Sequence, residues 1–232
     1  MPEKNKRGSF FMIYFFADDH FQKFCGRNIY KCLPDMLKKR IFFSENDPEY
    51  LESGIWEKDC ELLILHVIGG TGGIPLPGDG AERAMLRYCI SGRPMLLLHG
   101  SSAAFWHWDW WRKIAGLRWV RPEDPDHVPK SVHPHHPCRI EVAKVRHELA
   151  RQLKPFNLPE DEIYIELEQT SRVTILMNTH IEEGIYPQCA ECIGPAGAEI
   201  ISFIPGHLPA AFEVPELTGN ITTIIQYLLR RS

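Results

Sequence analysis

Two short runs of sequence decide the fold, Leu62-Leu63-Ile64-Leu65 and Met95-Leu96-Leu97-Leu98. Neither run alternates apolar with polar residues, as a strand does when one of its faces is exposed to solvent. A short run that is apolar throughout is typical of a parallel strand covered by helices on both faces of its sheet. The two runs therefore predict the centre of a parallel sheet.

Strand and helix patterns alternate on either side of these runs in the first half of the chain. The predicted strands are Ser9–Ala17, Arg40–Ser44, Glu61–Ile68 and Pro94–His99. The predicted helices are Phe21–Leu37, Glu49–Lys58, Gly80–Ser91 and Ser102–Ala115. This order predicts βαβ units and a doubly wound sheet.

The pattern changes after Trp119. The stretch Arg121–Pro137 is rich in Pro, Asp and His and predicts a long loop. Beyond it, strands are predicted at Arg139–Val145, Glu162–Glu168, Arg172–Met177, Gln188–Cys192 and Glu199–Ile204, and a closing helix at Ile221–Leu229. Strands that follow one another without helices predict an antiparallel extension between Arg139 and Cys192. We expect one α/β domain over residues 1–232, with residues 1–8 as a flexible tail.

Composition excludes several classes of protein. The 232 residues carry 26 basic and 30 acidic side chains, a net charge of −4, which gives no electrostatic case for binding nucleic acid or an anionic membrane. No stretch approaches the about 18 apolar residues of a membrane span. The apolar run Phe10–Ala17 ends in Asp18-Asp19-His20 instead of small residues suited to cleavage, so we interpret it as a strand and not a signal peptide.

The seven cysteines do not form a disulfide framework. Their number is odd and several lie in apolar runs, which favours free thiols and a cytoplasmic location. Cys189 and Cys192 form one C-x-x-C, but no second pair completes a zinc site, and residues three apart on a strand face opposite sides. We interpret both as structural.

Polar residues follow several predicted strands of the parallel sheet. They are Asp18, Asp19 and His20, Gly69–Gly73, His99, Gly100 and Ser101, and Gly206 and His207. Ligands of open α/β sheets bind beyond the carboxyl ends of the strands, so these residues are candidates for a site. The glycine-rich loop lacks the lysine of a nucleotide-binding P-loop.

Ser101 and the aromatic run that follows it each have two interpretations. His99-Gly100-Ser101-Ser102-Ala103 lacks the second glycine of a nucleophile elbow, so Ser101 is either a nucleophile or a helix cap that hydrogen-bonds a ligand. Phe105–Trp111 holds four tryptophans and His107. Some of these indoles pack in the core, and others offer a sugar ring a flat apolar wall.

Histidines and carboxylates cluster in the second half. His127, His133, His135 and His136 lie in the predicted loop, where they either bind zinc or copper or only hydrogen-bond. On the predicted strand, Glu162, Glu166 and Glu168 share one face with Tyr164.

Several short motifs in this order resemble the ThuA-like (trehalose-utilisation) proteins. They are Pro94-Met95-Leu96-Leu97-Leu98-His99-Gly100, His136-Pro137 before a strand, Asp161-Glu162-Ile163-Tyr164, and Pro205-Gly206-His207 with Phe212 soon after. The order of elements fits from about Ser9 to the C-terminus. Where the family often has a second His-Pro pair, this chain has His147-Glu148.

The resemblance implies a flavodoxin-like, class I glutamine amidotransferase-like three-layer sandwich and a carbohydrate-related role, on keto-disaccharides or glycosides. The amidotransferase cysteine would fall near Ser101, where no cysteine stands, so glutamine hydrolysis by a thiolate is not expected. Isomerase, lyase and hydrolase chemistry stay open. A non-catalytic sugar-binding or assembly module and a metalloprotein using the loop histidines are the competing hypotheses.

The predicted site combines these observations. We expect His99, Glu162 and His207 to be catalytic, since a carboxylate beside imidazoles supplies a proton donor and acceptor tuned toward neutral pH. The residues expected to bind substrate are Ser101, Trp106, His107, Tyr164, Asp19 and His20. No metal ligands and no cofactor are assigned, a divalent metal is left open, and the expected partner is a small carbohydrate, with a homo-oligomer also open.

Overall fold

The computed structural model describes residues 12–70, 73–124 and 128–231. The strands are β1 Met12–Ala17, β2 Ile41–Glu45, β3 Cys60–His66, β4 Met95–Leu98, β5 Leu117–Arg118, β6 His135–Val142, β7 Phe156–Glu162, β8 Glu168–Gln169, β9 Val173–Ile181, β10 Gly184–Ile193 and β11 Glu199–Phe203. The helices are α1 Cys25–Cys32, α2 Asp35–Lys38, α3 Pro48–Ser53, α4 Asp79–Ile90, α5 Asp109–Ile114 and α6 Pro215–Leu229. Residues 9–11 of the first predicted strand, and the predicted tail, lie outside the described residues.

The main sheet has nine strands in the order β2-β1-β3-β4-β11-β10-β9-β6-β7. The strands β2, β1, β3, β4 and β11 pair in parallel. The strands β10, β9, β6 and β7 continue the sheet by antiparallel pairing. The predicted α/β class, a parallel sheet with an antiparallel extension, is confirmed, and the extension begins at His135 instead of Arg139.

Both faces of the parallel part are buried, as the two apolar runs predict. Leu62 and Ile64 of β3 belong to one apolar core, with residues of α1, α2 and α6. Leu63 and Leu65 belong to a second core, with residues of α3, α4 and α5. Alternate side chains of one strand point to opposite faces, so an apolar strand of this kind needs helices on both sides.

Two predicted helices are interrupted. The helix expected over Phe21–Leu37 is α1 and α2, because Pro34 lacks the N–H that continues a helix and holds Leu33 in extended backbone. The helix expected over Glu49–Lys58 is α3 followed by a 3₁₀ turn. Gly54, at φ +66°, ends α3 in the left-handed region that glycine adopts without strain.

The helix predicted over Ser102–Ala115 is wrong over its first half. His99–Ser102 is a 3₁₀ turn, and α5 begins only at Asp109. Phe105 has φ +49°, and its ring stacks on Trp108 at 4.3 Å and meets Trp111 edge-on at 5.0 Å. Burying these three aromatic rings in one core outweighs the helical preference of the segment.

The strand predicted over Glu162–Glu168 is also wrong, because Glu162 ends β7 and Glu168 starts the short β8, which pairs with β5. The strand β7 contains Pro159, which an edge strand tolerates since its missing N–H faces outward. The pairing of β6 with β7 shifts register between His136 and Cys138. The predicted loop Arg121–Pro137 therefore ends earlier, with His135 opposite Glu162.

The short strand β5 was not predicted. The other elements differ from prediction only at their ends, and the closing helix α6 begins earlier, at Pro215. All seven cysteines are free, and Cys189 and Cys192 are buried in β10. No helix of residues 12–70, 73–124 and 128–231 has the length and apolar character that crossing a bilayer requires.

Candidate functional site

Three strand ends bring the predicted catalytic residues together. His99 follows β4 directly, His207 follows β11 after three residues, and Glu162 is the last residue of β7. They line one cleft of about 310 Å³. Its wall consists of Phe21, Lys23, Ile68, His99, Ala103, Trp119, Arg121, His133, Glu162, Tyr164 and His207.

His99 is held in one orientation at the bottom of the cleft. Its backbone has φ +43°, a strained conformation for a residue with a Cβ. Nδ1 lies 2.9 Å from the carbonyl oxygen of Ile204, which only accepts, so Nδ1 carries the proton. In the neutral ring, Nε2 then accepts a hydrogen bond from the hydroxyl of Tyr164 at 2.9 Å. When Nε2 is protonated, it faces Glu162 Oε2 at 3.4 Å.

Glu162 lies among four imidazoles. Its Oε1 is 3.3 Å from His207 Nε2, 3.5 Å from His133 Nδ1 and 3.5 Å from His135 Nε2. Burial raises the pKa of Glu162, but the hydrogen bond with His99 and the charges of His99, His207 and His133 outweigh it and lower the pKa to about 2. The expectation of a carboxylate tuned toward neutral pH is therefore wrong, because Glu162 is an anion throughout the physiological range.

Tyr164 is fully buried behind His99. Burial and the nearby carboxylates of Glu162 and Asp161 raise its pKa well above the ordinary value, so its hydroxyl stays protonated. The hydroxyl is therefore a fixed hydrogen-bond donor toward His99 Nε2, which orients the imidazole without exchanging protons itself.

Asp161 positions His207, a role that sequence reasoning missed. Its buried carboxylate accepts hydrogen bonds from the backbone N–H groups of Gly206 at 2.6 Å, His207 at 2.9 Å and Leu208 at 3.1 Å. The carboxylate thus ties the end of β7 to the loop after β11. The sequence signal for this role is the position of Asp161 directly before Glu162.

Two more cleft residues, Trp119 and Arg121, were missed. The Trp119 ring meets Tyr164 edge-on at 4.6 Å and lies 5.5 Å from the His133 ring. The Arg121 guanidinium lies 5.3 Å above the Trp106 ring and donates to the Ala103 carbonyl at 3.2 Å. Burial lowers the pKa of Arg121, and the charge of Glu123 offsets this only in part.

The predicted tryptophan wall is Trp119 and not a member of the Phe105–Trp111 run. Trp108 and Trp111 are buried in the core, and Trp110 donates its indole N–H to Glu82 at 2.9 Å. Trp106 is 39% exposed and reaches the cleft only through Arg121. Partial burial lowers the pKa of the neighbouring His107, which lies outside the cleft wall.

The other predicted binding residues lie elsewhere or outside the described part. Asp19 accepts a hydrogen bond from the Phe24 N–H at 3.1 Å and so caps the segment before α1. The side chain of His20 and all of His127 lie outside the described residues. His136 contacts Glu183 at 3.0 Å, away from the cleft. Their roles in binding stay predictions.

Ser101 is buried under the cleft and does not line it. Its hydroxyl donates to the Leu65 carbonyl at 2.9 Å and accepts from the Val67 N–H at 3.1 Å. Both hydrogen bonds tie the end of β3 to the turn after β4. Ser101 therefore acts in the structure as a connection between strands.

Replacing Ser101 with alanine is expected to lower the free energy of unfolding by about 1–3 kcal/mol, because a buried N–H and a buried carbonyl lose their partner. Chemical denaturation measures this loss. The control is Ser102→Ala, since the buried Ser102 hydroxyl makes no hydrogen bond within the described part of the chain. A folded Ser101→Ala protein of unchanged stability that no longer binds sugar would show that the hydroxyl serves the ligand instead.

Comparisons with solved structures identify the fold. A protein from Bacteroides uniformis, described as ThuA-like, matches with a TM-score of 0.70 at 14% identity, over 98% of this chain and 95% of that one. Another, from Parabacteroides merdae, matches with a TM-score of 0.68 at 16% identity, over 90% and 89%. This chain has the ThuA-like fold. No family model matches the sequence, and no curated protein does.

A third structure shows the same fold as part of a larger protein. Gan42B, a β-galactosidase of glycoside hydrolase family 42, matches with a TM-score of 0.53 at 9% identity. The match covers 95% of this chain but 30% of the β-galactosidase. At these identities the similarity concerns the fold, and the chemistry has to be argued from the cleft itself.

Proposed function

We propose that this protein is a carbohydrate-processing enzyme that acts on a sugar, a keto-sugar or a glycoside in the cleft around Glu162. The observation that carries the proposal is the convergence of two buried imidazoles on one partly buried carboxylate, at 3.3 and 3.4 Å, in a cleft with an aromatic wall. Converging titratable groups in a concave site favour catalysis over simple structural pairing.

The Glu162 carboxylate and the imidazoles of His207 and His99 have different roles in the proposed reaction. Glu162 is anionic and stabilises the positive charge that develops when His207 or His99 takes a proton from the substrate. His207 lies at the cleft wall and is the residue we assign as acid and base. His99 has its Nδ1 proton committed to Ile204, so only its Nε2 side faces the reaction. Isomerase, lyase and hydrolase reactions of keto-sugars all begin with such proton transfers.

The size and lining of the cleft fit a sugar ring. A volume of about 310 Å³ is within the range of small-molecule sites. Trp119 offers an apolar face, while Arg121 and Lys23 offer donors to hydroxyl or carbonyl oxygens. The β-galactosidase Gan42B, which contains a unit of this fold, is consistent with a carbohydrate-related role.

Trp119→Leu is expected to weaken sugar binding about tenfold, because it removes the aromatic face against which the ring would pack. Thermal shift measurements with sugars, keto-sugars and glycosides come first and identify a ligand. They can do so because a ligand at 100 times its Kd adds about 2.7 kcal/mol to the free energy of unfolding. The matched control is Trp106→Leu, which removes an exposed indole outside the cleft wall. Equal losses in both variants, or a loss only in Trp106→Leu, would contradict the assignment of the cleft.

Turnover separates an enzyme from a binding module. The wild-type protein and the variants His207→Ala and Glu162→Gln are incubated with the identified sugar in D₂O, and NMR follows product and deuterium incorporation. We expect turnover in the wild type and its loss in both variants, with melting temperatures monitored alongside. Binding without turnover would favour a sugar-binding module, and no binding by any carbohydrate would overturn the proposal.

A further inference from the structure

We propose that His99, Glu162 and His207 bind a divalent transition-metal ion at the bottom of the cleft. The site itself follows from the positions of these three side chains. Only the role of the ion, which is to bind oxygens of the sugar, rests on the proposed function.

The ligand atoms of these three side chains lie close enough together to bind one ion. Charge-assisted N–H···O contacts measure about 2.7–2.9 Å. Here Glu162 Oε2 lies 3.4 Å from His99 Nε2 and Glu162 Oε1 lies 3.3 Å from His207 Nε2, so each carboxylate oxygen faces one imidazole, and the ligand atoms of all three residues lie within 4.8 Å of one another. Around a tetrahedral ion with bonds of about 2.0–2.1 Å, neighbouring ligand atoms are about 3.3–3.4 Å apart.

The surroundings hold the ligands in the form that a metal needs. A metal-binding imidazole donates its other N–H to a carbonyl or carboxylate, which fixes the ring and its tautomer. His99 Nδ1 makes this contact with the Ile204 carbonyl at 2.9 Å, and an ion would displace the Tyr164 hydroxyl from Nε2. The backbone of His207 is fixed by Asp161 at 2.9 Å. The strained φ of +43° at His99 serves to aim Nε2 at this point.

The donor set indicates the class of metal and its role. Two imidazoles and one carboxylate suit zinc, iron, cobalt or nickel better than calcium or magnesium, which prefer oxygen ligands. Three protein ligands leave positions open toward the cleft, where adjacent oxygens of a sugar would bind. A bound ion would polarise a sugar carbonyl. Because the ion would use Nε2 of His99 and of His207, these two atoms would hold the ion and would not take protons while it is bound.

Two further histidines lie at the rim of the cleft, close to the same carboxylate. His133 and His135 approach Glu162 Oε1 at 3.5 Å, and their side chains are 50% and 43% exposed. They form a second candidate set with Glu162. His135 Nδ1 lies 3.8 Å from Glu160, but no hydrogen bond among the described residues fixes either ring as Ile204 fixes His99. The geometry therefore favours the buried set, and the two sets are distinguished by mutation.

The test is metal binding by the isolated chain, without sugar. The protein is stripped with a chelator, Co²⁺ is added to detect visible d–d absorption, and titration calorimetry with Zn²⁺ measures affinity and stoichiometry. We expect one ion per chain. His207→Ala and Glu162→Gln should each weaken binding by about 100-fold, since loss even of an outer-shell partner costs about 10–100-fold.

Matched variants make the result specific. His136→Ala removes an imidazole of β6 that contacts Glu183, and it should leave the affinity unchanged. Circular dichroism of the stripped variants checks folding, and His207→Gln is the reserve if His207→Ala does not fold.

Three results would overturn the proposal. One is a stripped wild-type protein that binds neither Co²⁺ nor Zn²⁺, and another is unchanged affinity in both His207→Ala and Glu162→Gln. The third is loss of binding in a His133→Ala, His135→Ala double variant but not in His207→Ala, which would place the ion at the rim. Metal binding without sugar binding would leave the site standing and refute the proposed function. Sugar turnover that survives chelation would refute the role of the ion.

Discussion

Replacing Asp161 with alanine is expected to lower the free energy of unfolding by about 3–5 kcal/mol. The carboxylate is 1% exposed and accepts three backbone hydrogen bonds from Gly206, His207 and Leu208. Its removal leaves three N–H groups without a partner in the interior. Each such group lowers the free energy of unfolding by about 1–3 kcal/mol when no water replaces the lost acceptor. Urea denaturation of the two proteins measures the difference.

The neighbouring Glu160 provides a matched control. It lies on the same strand, but its side chain is 57% exposed and its only described ion pair is a 3.8 Å contact with His135. Glu160→Ala should therefore change the stability by less than about 0.5 kcal/mol. If Asp161→Ala is as stable as Glu160→Ala, the three hydrogen bonds do not hold the loop after β11. The attribution of His207's position to Asp161 would then be wrong.

The parallel half of the fold was predictable because its strands carry their signal within four or five residues. Leu62 to Leu65 and Met95 to Leu98 are apolar on both faces, and this property depends on no distant residue. His99 was predictable as a cleft residue for the same reason, since it directly follows such a strand. Glu162 lies in the cleft as predicted, although the strand that carries it ends at Glu162, whereas the predicted strand begins there.

The features that the sequence did not predict depend on tertiary contacts. The turn around Phe105 exists because this ring, Trp108 and Trp111 share one core, which no local pattern of residues shows. The position of Trp119 in the cleft follows from its contact with Tyr164, 45 positions away in the numbering. His133 and His135 come from a segment without helical or strand periodicity, so their spacing could not fix their approach to Glu162.

Ser101 shows how one residue pattern serves two different roles. A serine after an apolar strand is the mark of a nucleophile elbow, yet here both hydrogen-bonding capacities of the hydroxyl are used inside the protein. Only the direction of the side chain separates the two cases. That direction depends on the 3₁₀ turn at His99–Ser102, which replaced the predicted helix start.

The stability of the metal-free protein is expected to depend on Glu162 between about pH 4.5 and pH 2. Its pKa is 4.5 as an ordinary side chain and about 2 in the fold, so folding favours the ionised form. The stabilisation is fully present above the unfolded value and is lost as the pH falls through the folded value. The shift corresponds to about 3 kcal/mol at about pH 6, and to about 1.5 kcal/mol at about pH 3.

Urea denaturation of the chelator-treated wild type and Glu162→Gln across this range tests the assignment. Glutamine has no charge to lose, so the difference in unfolding free energy between the two proteins should shrink by about half on going from about pH 6 to about pH 3. Glu160→Gln, which neutralises the exposed neighbour, should run parallel to the wild type. A constant difference between wild type and Glu162→Gln would mean that the imidazoles do not hold the carboxylate ionised. Glu162 would then be a carboxyl group of ordinary acidity, and its assigned role of stabilising a protonated His207 would be wrong.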